Sequence, residues 1–79
     1  MKYNKVLFFE RNKQGTFTLS GQTEVLSNFE ALQVYANTPN PASCFIEADD
    51  IDSLVVKVGQ TIDNMGNLEY VEKYVNPCL

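Results

Sequence analysis

Cys44–Val58, CFIEADDIDSLVVKV, is the stretch on which the fold turns. Two apolar runs, Cys44-Phe45-Ile46 and Leu54-Val55-Val56-Lys57-Val58, flank an acidic knot, Glu47-Ala48-Asp49-Asp50-Ile51-Asp52. The flanks hold the densest β-branched and aromatic material in the chain. The knot holds four of its ten carboxylates. The flanks are expected to build the core, and the knot is the first place to look for function. Ser43–Ala48 reads as a strand. The second flank fits two periods. As a helix, Ile51, Leu54, Val55, Val58 and Ile62 share one face, with an Asp to cap it. As a strand, Leu54, Val56, Val58 and Ile62 alternate with Lys57, Gly59, Thr61 and Asp63. The β-branched residues Val55, Val56, Val58, Thr61 and Ile62, and a Gly59 that costs about 1 kcal/mol inside a helix, favour the strand.

Upstream, Tyr3–Glu10 (YNKVLFFE) is apolar on both faces at Val6-Leu7-Phe8-Phe9, as expected of a central strand or one covered on both sides. Arg11–Gly15 suits a hairpin loop, and Thr16–Ser20 alternates cleanly, with Phe17 and Leu19 on one side. Gly21-Gln22 reads as a turn, and Thr23–Leu26 as a short bridge. Ser27-Asn28-Phe29-Glu30 matches the reciprocal capping pattern in which a Ser hydroxyl and a Glu carboxylate each satisfy the other residue's amide. Phe29, Leu32 and Ala36 follow at helical spacing with Tyr35 beside them, so a helix is expected at 28–37. Pro39 and Pro41 prevent its continuation, and Thr38–Ala42 reads as a stiff linker.

Downstream, 63–67 reads as a hairpin loop and Leu68–Val75 (LEYVEKYV) as a last strand, followed by a frayed tail. The expected fold is α+β. One small domain over 1–79 holds an antiparallel sheet of about five strands in the order ββαβββ, with one helix packed on one face; the alternative places a second helix at 50–63.

Seventy-nine residues make a single domain with a small core. The net charge of −4 is uneven. Lys2, Lys5, Arg11 and Lys13 against Glu10 leave residues 1–20 at +3, and Lys57 and Lys73 against nine acids leave residues 21–79 at −7. Direct nucleic-acid binding is disfavoured, because it rests on Lys/Arg–phosphate contacts. A signal peptide or membrane span needs a longer apolar run than Val6–Phe9. A cytoplasmic location with Cys44 and Cys78 as free thiols is the expectation.

The chain has no histidine, which removes the commonest general base and metal ligand. No catalytic residue, cofactor or metal ligand is assigned. Counting an EF-hand from Asp50 puts Val55 and Thr61 where Gly and Glu are required. Cys44 reads as a small buried hydrophobe. Two thiols without histidine cannot complete a zinc site in one chain. Arg11 and Lys13 read as a solubilising loop.

What remains is recognition. Glu47, Asp49, Asp50 and Asp52 in the knot, with Glu69, Tyr70, Glu72 and Tyr74 near the C-terminus, are the candidate partner-binding residues. Carboxylates dock on Lys/Arg surfaces, and tyrosine is enriched at interface hot spots. The expected function is a non-enzymatic acidic protein-binding module whose partner is a larger basic protein or nucleoprotein complex. Size and charge suit an inhibitor of the kind carried by phages and mobile elements, one that covers a nucleic-acid-binding site on a host defence complex, like the anti-CRISPR proteins. The alternatives are a homo-oligomeric assembly subunit or homodimer joined through edge strands, and a small metal-binding protein. No membrane association is expected.

Overall fold

The computed structural model describes residues 2–37 and 43–78. The expected linker Thr38–Ala42 lies outside them. The chain is α+β, with three antiparallel strands among the described residues: β1 (Tyr3–Arg11), β2 (Phe17–Gln22) and β3 (Cys44–Ala48), in the sheet order β2-β1-β3. Helix α1 spans Asn28–Asn37 and α2 spans Ile51–Met65. A last helical segment, α3, opens with an α turn at Leu68–Tyr70, continues as a π-helical stretch at Val71–Val75, and closes in a 3-10 turn at Asn76–Cys78.

β1 is central, as its two-sided apolar character requires. Val6, Leu7 and Phe9 are each fully buried. Successive side chains on a strand point to opposite faces, so such a strand needs cover on both. On one face Leu7 and Phe9 pack with Phe17, Met65 and Val71, bordered by Leu19, Cys44, Ile46, Val58, Ile62 and Val75. That cover comes from α2 and α3. On the other face α1 lies on β1 and β3, and the Tyr35 ring meets Phe45 edge-on at 6.2 Å between centroids. The expected single helix on one face is therefore three helical segments on two faces.

The hairpin forms as expected, with boundaries shifted. The Asn12 carboxamide oxygen accepts from the amides of Gln14 (3.0 Å) and Thr16 (3.1 Å), and Gly15 takes a φ of +86°, which favours glycine. Gly21-Gln22 is not a turn but the end of β2, opposite Phe8 and Leu7. The capping pattern of α1 is present. The Glu30 amide donates to Ser27 Oγ at 3.2 Å, and the Ser27 amide donates to Glu30 Oε2 at 3.3 Å.

Two expected strands are helices. At 51–63 the side chain of Asp50 caps the start of α2, accepting from the Ser53 amide at 2.7 Å. Leu54, Val58, Ile62 and Met65 then fall on the face that closes the core. Gly59 lies on the exposed side with open space where a Cβ would stand, so its cost is one of backbone propensity alone. Packing of one apolar face outweighs that cost and the β-branched preference of the segment. At 68–75, Asn67 caps α3 by accepting from the Tyr70 amide at 3.1 Å, and Val71 is buried with Val75 half-buried behind it. Val71/Val75 and Tyr70/Tyr74 are each four residues apart, a spacing that keeps one face in either structure. Of the expected frayed tail, Asn76–Cys78 is instead a 3-10 turn, and Arg11 Nη2 donates to Asn76 Oδ1 at 2.9 Å, while Leu79 lies outside the described residues.

The helical reading of α2 has a direct test. Leu54 is 2% exposed and Val56 is 57% exposed. A strand would place both on one face, whereas the helix sets them on different sides. Leu54→Ala is expected to cost about 2–5 kcal/mol, and Val56→Ala to stay within about 0.5 kcal/mol of the wild type, both read by denaturant unfolding. Equal losses at the two positions would contradict the helix.

Candidate docking surfaces

The structure gives the knot carboxylates separate tasks. Glu47 stands on β3 and Asp49 just beyond it, and Lys2 reaches both, at 3.7 Å and 2.7 Å respectively. The hydrogen bond from the Lys2 ammonium, followed by its charge, holds Asp49 below the usual carboxylate range, and Asp49 raises Lys2 in return. Both groups are solvated, and an exposed pair of this kind contributes little to stability. Asp50 is the cap of α2, with Oδ1 accepting from the Ser53 amide and Oδ2 from the Ser53 hydroxyl at 3.1 Å. Asp52 lies exposed in the first turn of α2, where the helix dipole favours negative charge. Lys57 Nζ donates to the Glu47 carbonyl at 2.8 Å and brings a positive charge to the same end.

Glu69, Tyr70, Glu72 and Tyr74 are on α3. The two tyrosine rings lie 4.9 Å apart at 45°, and Lys73 Nζ is 5.2 Å from the Tyr74 ring. The residues from 47 to 52 sit around the start of α2, and those from 69 to 74 lie beyond its end. α2, fifteen residues and about 22 Å long, lies between the two groups in the chain. The expected carboxylates thus form two patches, one with Lys2 and Lys57 and the other with Lys73, and not one acidic face.

Among the described residues no group of three His, Cys, Asp or Glu side chains is placed to hold a metal ion. Cys44 is half-buried in β3, and burial pushes its thiol up; Cys78 is exposed and lies 3.4 Å from the Tyr74 carbonyl oxygen. A depression of about 750 Å³ runs past Lys2, Tyr3, Leu26 and Glu47, but it opens widely to solvent and gathers no reactive pair.

The surface that sequence reasoning missed is on α1. The helical spacing of Phe29, Leu32 and Ala36 does not mark the buried side. The helix instead buries Ala31 and half-buries Val34, with Tyr35 leaning on Phe45. Phe29 is 70% exposed and Leu32 50%. Glu30 is the single charged residue on the helix. The missed signal is a second, thinner apolar stripe, Ala31 and Val34, which α1 buries wholly or in part in seating on β1 and β3.

The cap explains what Asp50 does without any ligand. Asp50→Ala is expected to cost about 0.5–2 kcal/mol and Asp50→Asn only a few tenths, since Asn caps equally well. Thermal unfolding followed by far-ultraviolet circular dichroism measures both. A loss for Asn as large as that for Ala would show that the charge, not the cap, matters here. Set against protein-family models, curated proteins and solved structures, the chain matches none.

Proposed function

We propose that this chain is a non-catalytic protein-binding module that presents α1 to a larger basic protein or nucleoprotein complex. The observation that carries this reading is the outward apolar stripe of α1. Phe29 and Leu32 project from a helix that is already seated on the sheet through other residues. A phenylalanine left 70% exposed gains by burial against a partner. The helix adds the negative charge of Glu30 and no cation, and Glu24 lies just upstream. The complementary surface is an apolar groove rimmed by Lys or Arg, which a helix fills with side chains three and four residues apart.

The remaining charge acts at longer range. A net charge of −4 steers the chain toward basic surfaces and away from nucleic acid itself. That charge also supports the finer reading of an inhibitor that covers a basic nucleic-acid-binding site on a host defence complex. Asp49 and Asp50 already have partners within the chain, so α1 is the contact and the knot assists the approach.

Affinity capture with three baits tests the proposal: the wild type, the pair Phe29→Asp with Leu32→Asp, and the triple Asp49→Asn, Asp50→Asn, Asp52→Asn. Removing a central apolar anchor costs about 2 kcal/mol or more, roughly 30-fold in affinity. The α1 pair is expected to lose a basic partner that the wild type holds, while the triple keeps it with greater sensitivity to salt. Equal capture by the wild type and the α1 pair, or no basic partner for the wild type, would overturn the proposal.

A further inference from the structure

β2 is the strand that the helices cover least. α1 lies on β1 and β3, and α2 lies closest to β3. With the order β2-β1-β3, both outer strands have one edge unpaired among the described residues. The edge at β3 is guarded. Glu47 stands on it, the Lys2–Asp49 pair lies at its end, and Lys57 occupies the Glu47 carbonyl. Soluble proteins commonly blunt an edge in this way, with charged side chains, proline or a bulge. β2 has neither charge nor proline. From Gln14 to Thr23 the chain reads QGTFTLSGQT, ten residues with no Lys, Arg, Asp, Glu or Pro. It does carry a bulge, where the register passes from Phe8↔Gly21 to Phe9↔Leu19 and leaves Ser20 extra. Phe17–Leu19 stays regular beside it.

We infer that β2 is the pairing edge for a second copy of this chain, the two strands meeting antiparallel about a two-fold axis to make one six-stranded sheet.

The edge suits its own copy for reasons of charge. An isologous contact sets each residue near itself, so any charged strand meets like charge, and this one meets none. The register that stays clear of the bulge centres on Thr18. It places the exposed Thr18 against Thr18 of the second copy, a favourable cross-strand pair, and Phe17 against Leu19. Antiparallel pairing about an axis normal to the sheet keeps the two α2 helices on the same face. On that face a largely apolar groove of about 300 Å³ lies between α2 and the end of β2, lined by Val25, Ile51, Leu54, Val55 and Val58 together with Gln22 and the cation Lys5. Val55 is 65% exposed there. A pairing this short, with one helical layer beside it, buries no more than the low end of standard interfaces, roughly 600 Å² per partner. The dimer therefore forms reversibly as concentration rises. It is independent of docking through α1, which does not lie on β2.

Analytical ultracentrifugation of the full chain, from low to high micromolar concentration, tests the inference. The wild type is expected to pass from monomer to dimer, Thr18→Lys to remain monomeric with an unchanged circular dichroism spectrum, and Phe29→Asp to dimerise like the wild type. A wild type that stays monomeric throughout would overturn it and leave β2 to a foreign strand or to none. A dimer lost in Phe29→Asp and kept in Thr18→Lys would also overturn it, placing the interface on α1. Should Thr18→Lys fail to fold, amide exchange in the wild type decides. The outward amides of Phe17–Leu19 must slow as concentration rises, and exchange independent of concentration would refute the pairing.

Discussion

The structure depends on the double burial of β1. Val6, Leu7 and Phe9 are adjacent or nearly so on one strand, and each is wholly out of water. A strand with apolar residues on both faces cannot lie at a surface, so the rest of the chain is arranged to enclose it. β2 and β3 satisfy its backbone on either side. α2 and α3 close the face of Leu7 and Phe9, and α1 lies on the opposite one. Beyond β2, the link to α1 continues along the same strand: Thr23 and Leu26 bond back to Val6 and Asn4, and the Asn4 side chain, also buried, donates to the Leu26 carbonyl at 3.3 Å.

A chain of this length has only so many elements with which to do this. Three strands leave two edges, and one ten-residue helix must serve a whole face of the sheet. α1 approaches through Ala31, with Tyr35 against Phe45, and Phe29 and Leu32 remain outside. The apolar surface left over is thus a consequence of enclosing β1 with little material, and it is also what equips the module for recognition. The acidic residues answer to a different demand. Asp50, Asp52 and Glu30 sit at helix starts, where negative charge and side-chain oxygens satisfy exposed amides.

Much of this was legible in the residues. The central position of β1, the hairpin, the reciprocal cap of Ser27 and Glu30, and the extent of α1 each rest on local rules that the structure obeys. The segment 51–63 was not legible, because its local preferences point one way and its burial pattern the other; Val55 and Val56 count as strand formers in composition, yet both are exposed on a helix. At 68–75 the four-residue spacing of Val71/Val75 and Tyr70/Tyr74 fits either period, and only the cap at Asn67 and the burial of Val71 separate them. Which stripe of α1 is buried depends on how close the helix can come to β1 and β3, a tertiary quantity that the spacing of Phe29, Leu32 and Ala36 does not contain. The candidate carboxylates could be counted from sequence but not placed, and a helix of about 22 Å parts them.

Residue-resolved amide hydrogen exchange in dilute solution tests the central position of β1 most directly. Every amide of an inner strand is bonded to a neighbour, whereas those on the outer side of an edge strand face water. The amides of Val6, Leu7, Phe8 and Phe9 should be among the slowest in the chain, with alternate amides of β2 exchanging much faster. If β1 exchanges as readily as β2, or if the slowest block falls at 68–75 in an alternating strand pattern, β1 is not the enclosed strand and this account of the fold is wrong.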